Sequence, residues 1–173
     1  MRKGQGCFGG VEREVTWKTR LRVEEAGHDR TGRDVDELLD PLIFQSSTYG
    51  DILIPRGFRT NYCSVPRWPV VYWLVGGKAR KPSAGHDFPY TTHGLLITRY
   101  DDESGQYTEP RRLPIDRQQA DDLFLEMLLN EPLIEDGLAR SMHQAVRWFG
   151  QSSWEDDTNI LQNSEIRSLI PTA

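Results

Sequence analysis

The apolar residues of this 173-residue chain change their spacing partway along it. Up to Ile54 they recur every second residue or in short runs. Val15 and Trp17 alternate with Thr16 and Lys18, Leu21 and Val23 continue the alternation, and Leu42-Ile43-Phe44 and Ile52-Leu53-Ile54 flank the turn-forming Tyr49-Gly50-Asp51. A period of two puts alternate side chains on one face of a strand, so residues 11–24 are expected to form a strand pair or one long strand and residues 42–54 a hairpin. The acidic, glycine-containing stretch 25–40 reads as a loop. From Asp116 the period is helical: Ala120, Leu123, Phe124, Met127 and Leu128 form one stripe, predicting a helix to Asn130 that Pro132 ends. A further helix over about 137–149 repeats the stripe with Leu138, Met142, Ala145, Val146 and Phe149, and Gly150 is a natural residue to follow its end. Strands followed by helices predict an α+β fold, with an N-terminal antiparallel sheet over roughly residues 11–60 packed by three to four helices from residue 64 onward.

Between these regions the signals are local. After Pro55, Arg56 to Asn61 turn the chain, and Ser64 with Pro66 two places on opens a short helix that Pro69 limits. Ser83 is expected to cap a second segment, Ala84 to Tyr90, with Pro89 at its boundary or at a kink. Leu95–Tyr100 and Gln106–Arg111 lie on either side of Asp101–Gly105 and predict a surface hairpin inserted between helices. Residues 1–10 carry four glycines and read as an arm, and the last residues are polar with apolar anchors from Trp154 to Ile170. The expected division is an arm over 1–10, one domain over 11–154 and a tail over 155–173.

Charge and composition exclude several classes. With 21 basic against 26 acidic residues the net charge is −5, and no broad cationic field is available for nonspecific nucleic-acid binding. No stretch approaches the roughly 20 apolar residues of a membrane span; the longest, Val70–Val75, stops at Gly76-Gly77-Lys78. Met1-Arg2-Lys3 leads into glycines, so no signal peptide is expected and synthesis is assigned to the cytoplasm. Cys7 and Cys63 lack metal-knuckle spacing and are expected to be free thiols.

His86-Asp87, with Tyr90 three places on, is the densest group of chemistry-bearing residues. An imidazole suits general-base work, and a carboxylate beside it orients it or holds a hard cation; the alternative is a buried hydrogen-bonded pair that holds the helix to the sheet. Asp121 or Asp122 is expected to point inward from the apolar edge of its helix, which requires a partner such as Arg67, Arg80, His86 or a metal. Thr60, Asn61 and Ser64 gather small polar groups at a turn-to-helix junction, with capping the expected role of Ser64. His28, His93 and His143 have no companion at ligand spacing, and Trp68, Trp73, Trp148 and Trp154 are expected in the core and at interfaces. The reading places His86, Asp87 and Asp121 in one shared site beneath the sheet.

The order of motifs is Ile54-Pro55-Arg56-Gly57-Phe58-Arg59-Thr60-Asn61-Tyr62-Cys63-Ser64-Val65-Pro66-Arg67, Gly85-His86-Asp87-Phe88-Pro89-Tyr90, Ala120-Asp121-Asp122-Leu123-Phe124 with Met127, and Ala145-Val146-Arg147-Trp148-Phe149-Gly150. In this order, over roughly residues 42–154, the chain resembles domain-of-unknown-function family 1353, frequent in tailed bacteriophages and prophages. The resemblance implies that Thr60, Ser64, Pro66, His86, Asp87, Tyr90, Asp121 and Arg147 carry the family pattern. Asn61 stands where that pattern usually has Asp, which removes a charge from any shared polar site. The His-Asp-x-x-Tyr helix also looks like the His-Asp helix of secreted calcium-dependent phospholipases, whose disulfides and glycine-rich calcium loop have no counterpart here.

Two functions follow as expectations. The first is a bacteriophage-encoded accessory or virion component of a tail or capsid assembly, needing no cofactor, with other phage structural proteins and a second copy of the chain as partners and with the virion as destination. Its polar cluster is then structural. The second is a small hydrolase with His86 as general base, helped by Asp87 or Asp121 as orienting groups or as ligands of a divalent cation.

Overall fold

The computed structural model describes residues 15–29, 32–62 and 78–155. Ten strands and four helices run in the order β1 (Thr16–Trp17), β2 (Val23–His28), β3 (Asp34–Leu38), β4 (Leu42–Ser46), β5 (Gly50–Ile54), β6 (Arg59–Thr60), α1 (Arg80–Thr92), β7 (Gly94–Thr98), β8 (Tyr100–Asp101), β9 (Gln106–Tyr107), β10 (Arg111–Pro114), α2 (Arg117–Leu129), α3 (Asp136–Phe149) and α4 (Gln151–Trp154) among the described residues. The fold is α+β, as the change of period predicts.

The main sheet is antiparallel, in the order β1-β4-β5-β7-β10. Its centre is the expected hairpin, with Leu42 opposite Ile54, Ile43 opposite Leu53 and Phe44 opposite Ile52. Gly50 takes a φ of +80°, which a side chain rarely adopts and which the turn needs. Glu126 of α2 fastens that turn, accepting from the Ser46 and Ser47 hydroxyls and from the Ser47 N–H, each at 2.6 Å.

Several expectations are corrected. The stretch 25–40 is not a loop: β2 and β3 pair across it, with Val23 opposite Leu38 and Glu25 opposite Asp36. Charged residues fill the strands there, and only Val35 and Leu38 of β3 are buried, so alternation is not visible. With β6 they form a second sheet, β2-β3-β6, which divides residues 11–24 between two sheets. The hairpin expected over 95–111 does form between α1 and α2, β7 pairing with β10 and β8 with β9, but its first strand does not lie at the surface. Leu95 and Leu96 are fully buried in β7, which lies between β5 and β10, so the sheet is completed by strands that follow α1. Ser83 lies inside α1 and caps nothing; the helix begins at Arg80, and Pro89 sits in its last turn. The expected helix at Ser64 and Pro66, the cysteines, Trp68, Trp73, the glycine-rich arm and the chain beyond Glu155 fall outside the described residues.

Helix α2 forms as predicted. Asp116 accepts from the Gln119 N–H and the Gln119 side chain accepts from the Asp116 N–H, a reciprocal cap. The whole stripe Ala120, Leu123, Phe124, Met127 and Leu128 is buried. In α3 the stripe is shifted: Ala139, Met142 and Val146 are buried, whereas Phe149 is 53% exposed.

Helix α1 runs between the sheet and the other helices. Pro82 to Thr91 are all buried, so polar side chains are enclosed on every side and each needs a partner. Phe88 and Ala84 pack with Leu42, Ile54 and Phe58, and Tyr90 packs with Phe44, Leu95 and Met127. Contact with α2 is close at Gly85, where a Cβ would lie 2.6 Å from the Met127 sulfur. Phe124 and Leu128 then face Met142 and Val146, forming the outer core between α2 and α3. Among the described residues no helix is long and apolar enough to cross a membrane.

Candidate functional site

Burial of α1 forces its polar residues into two hydrogen-bonded sets. Successive residues on a helix diverge by about 100°, so His86 and Asp87 leave α1 in different directions. His86 turns to α2. Its Nε2 donates to Asp121 Oδ1 at 3.1 Å, because an ionised carboxylate only accepts. Tyr90, one turn on, donates to the same oxygen at 2.6 Å. The other oxygen accepts from Arg117 of α2 at 3.2 Å and lies 3.6 Å from Arg147 Nη1 of α3. One carboxylate therefore ties three helices together, and the side chains of His86 and Asp121 are both 0% exposed.

The charge of Asp121 is secured by these partners. Burial pushes its pKa up, but hydrogen bonds from His86 and Tyr90 and the positive charge nearby outweigh it, and the pKa falls below the ordinary 3.8. Tyr90 moves the opposite way, raised by burial and by its bond to the Asp121 carboxylate. A carboxyl group held ionised in the folded state contributes stability above its unfolded pKa, and the contribution disappears as pH falls through the folded value. The wild-type stability advantage over Asp121→Asn is therefore expected to be constant from pH 7 to about 5 and to shrink below about pH 4, as urea unfolding across that range measures.

His86 is fixed on both faces. Its ring stacks on Phe124 at 4.5 Å and 26° and tilts against Tyr90 at 4.2 Å. Its second nitrogen, Nδ1, is buried and has no hydrogen-bond partner among the described residues; the same holds for Arg147 Nη1. Arg117 reaches past Asp121 to the carbonyls of Val146 and Arg147 at the end of α3, the Val146 oxygen also accepting from the Gly150 N–H.

The second set joins α1 to the smaller sheet. Asp87 accepts from Thr60 of β6, and the Thr60 hydroxyl accepts from the Tyr62 N–H at 3.2 Å. Asn61 donates to Asp29 at 3.0 Å. Asp36 of β3 takes the Tyr62 hydroxyl at 2.9 Å and the Arg80 guanidinium, which lies 4.9 Å over the Tyr62 ring. Burial and the bond to Asp36 raise the Tyr62 pKa.

The expected single site is thus divided by its hydrogen bonds. His86, Tyr90, Asp121 and Arg147 come together, as do Thr60 and Asp87, while Asn61 bonds to Asp29 and Ser64 lies outside the described residues. Arg80 pairs with Asp36 and not with Asp121. Arg117 is a site residue that sequence reasoning missed, although its i,i+4 spacing to Asp121 is a readable signal. The Asp121 oxygens face two guanidiniums, an imidazole and a phenol. Among the described residues no three His, Cys, Asp or Glu side chains are grouped to hold a metal.

Gly150 completes the enclosure, in a role different from the one expected. Its φ of −75° is ordinary, so it supplies no left-handed turn; a Cβ there would lie 2.4 Å from the Tyr90 hydroxyl and 2.5 Å from the Val146 carbonyl oxygen. Gly150→Ala is expected to displace Tyr90 from Asp121 at a cost of about 1–3 kcal/mol, read as a lower urea midpoint. Gly137→Ala, with open space around the position, is the control and is expected to be neutral or mildly stabilising.

Comparison with curated proteins and with solved structures gave no match. The family described as "Protein of unknown function (DUF1353)" matches residues 37–146, from β3 to α3, including Thr60, His86, Asp87, Tyr90 and Asp121. That match covers more than half of the sequence, and the chain belongs to this family.

Proposed function

We propose that this protein is a bacteriophage-encoded accessory or virion-associated component of a tail or capsid assembly, and that its His86–Asp121 centre is structural. The observation that carries the structural role is the enclosure of that centre: both side chains are fully shielded, and the carboxylate is held by groups from three helices. A reacting group must reach its substrate, whereas a group that joins helices is best kept dry. The phage setting rests on the family resemblance. Trp148 at 71% and Leu133 at 62% exposure add apolar surface of the kind that assembly subunits cover with neighbours.

The test is incorporation into particles. Deleting residues 1–10 or 155–173, or replacing Trp148 by Glu, is expected to abolish incorporation while the purified domain keeps its melting transition. Normal incorporation of all three variants overturns the proposal.

One observation favours the second reading, a hydrolase with His86 as general base: its Nδ1 has no hydrogen-bond partner among the described residues. On that reading, wild-type protein hydrolyses a member of a panel of carboxyl and phosphate esters, and His86→Gln abolishes the activity with little change in stability. Absence of activity in the wild type, together with strong destabilisation by His86→Gln, returns the imidazole to the structural role.

A further inference from the structure

We infer that α4 is a latch over the Tyr90 side of the Asp121 centre, held shut by Trp154 and able to open while the rest of the domain stays folded. Trp154 meets Tyr90 edge-on, at 5.2 Å and 87°, on the residue that bonds directly to Asp121. It also lies flat on His93, at 4.4 Å and 18°, and its carbonyl accepts from His93 Nε2 at 3.0 Å. His93 follows α1 in the left-handed backbone region, at a φ of +51°, where glycine or asparagine is the usual residue. A histidine there is strained, and what it supplies that glycine lacks is the ring under Trp154.

The remaining attachments of α4 are local. Trp154 N–H donates to the Gly150 carbonyl and Glu155 N–H to that of Gln151, bonds that move with the turn. Among the described residues, the ring and hydrogen-bond contacts from α4 to α1 and its cap all belong to Trp154. Rotation at Gly150 therefore breaks two ring contacts, one long-range hydrogen bond and the packing of Trp154 on the edge of the cluster that holds Tyr90, leaving the Phe124–Met142–Val146 core untouched. Gln151, Ser152 and Glu155 are exposed, so nothing described on the outer side of the turn holds it down. A small set of contacts with a solvent-facing back is the signature of a segment that opens locally. The inference is independent of whether the centre is structural or catalytic.

The experiment uses the full chain. Tyrosines are acetylated with N-acetylimidazole over a urea series and read by peptide mass spectrometry, with Tyr100, 43% exposed, as the reference in the same molecule. Tyr90 is expected to label more slowly than Tyr100, at a rate that stays flat in urea below the global transition. Trp154→Ala is expected to raise the Tyr90 rate by about tenfold or more, the factor that matches the loss of an aromatic contact and its burial, with Tyr100 unchanged. Labelling of wild-type Tyr90 that follows global unfolding with its full urea slope overturns the latch. So does an unchanged rate in folded Trp154→Ala. Should that variant not fold, His93→Ala removes the stacked ring and the long-range bond from the other side; faster Tyr90 labelling in it supports the latch, and an unchanged rate refutes it.

Discussion

Asp121→Ala is expected to destabilise the domain by about 3–5 kcal/mol, a large part of the roughly 5–15 kcal/mol that holds a domain folded. The loss exceeds that of one hydrogen bond because the substitution removes the common acceptor of His86 and Tyr90 and the counter-charge of Arg117 and Arg147 at once. Two fully or largely enclosed donors are then left unpaired, and Arg117 and Arg147 lose the counter-charge they share. For a chain of this length the melting temperature is expected to fall by roughly 6–20 °C. Tyr90→Phe alone is expected to cost about 1.5–3 kcal/mol, the range for a hydrogen bond to a charged group. In the Asp121→Ala background the same change is expected to cost almost nothing, since its acceptor is already gone. Urea denaturation of the two single variants and the double variant measures the coupling. Additive losses would show that Tyr90 and Asp121 act independently, contrary to their 2.6 Å contact.

Phe124→Ala is expected to cost about 3–5 kcal/mol for a different reason. Phe124 is fully buried, fills the outer core beside Leu128, Met142 and Val146, and supports the His86 ring in a stack at 4.5 Å. Truncation opens a cavity that the rigid neighbouring helices only partly close. Phe124→Leu, which keeps most of the volume, is expected to cost less than about 1.5 kcal/mol. If packing is the dominant effect, the Phe124→Ala loss measured by urea unfolding stays nearly constant between pH 7 and pH 4. A loss that disappears with acid would instead assign the role of Phe124 to the charge state of the centre.

Helix α2 was legible from its apolar stripe, and its cap, which was not read, lies equally close in sequence, because every signal for the helix falls within a few residues. Asp116 and Gln119 close its first turn, the Ala120–Leu128 stripe marks its buried face, and Arg117 stands one turn from Asp121. The β4–β5 hairpin was legible for the same reason, since its register follows from apolar residues flanking one turn. Strands β2 and β3 were hidden because their charged side chains mask the alternation, and β7 was taken for a surface strand although its leucines are core.

The candidate site divides along the same line. That His86, Tyr90 and an acid on the next long helix belong together was visible from residue type and helical spacing. Which acid joins His86 was a tertiary matter: Asp121 lies 35 positions away in sequence and bonds to it, whereas neighbouring Asp87 bonds to Thr60 of the smaller sheet. Sequence alone determined the local elements and the chemical types available, because caps, turns and stripes are short-range balances of backbone bonding and apolar burial. Only the tertiary structure decided the partners of the buried charges, the closeness of Gly150 to Tyr90 and the seating of Trp154 on His93. Those contacts depend on the angle at which distant helices meet, and no local pattern of residues encodes that angle.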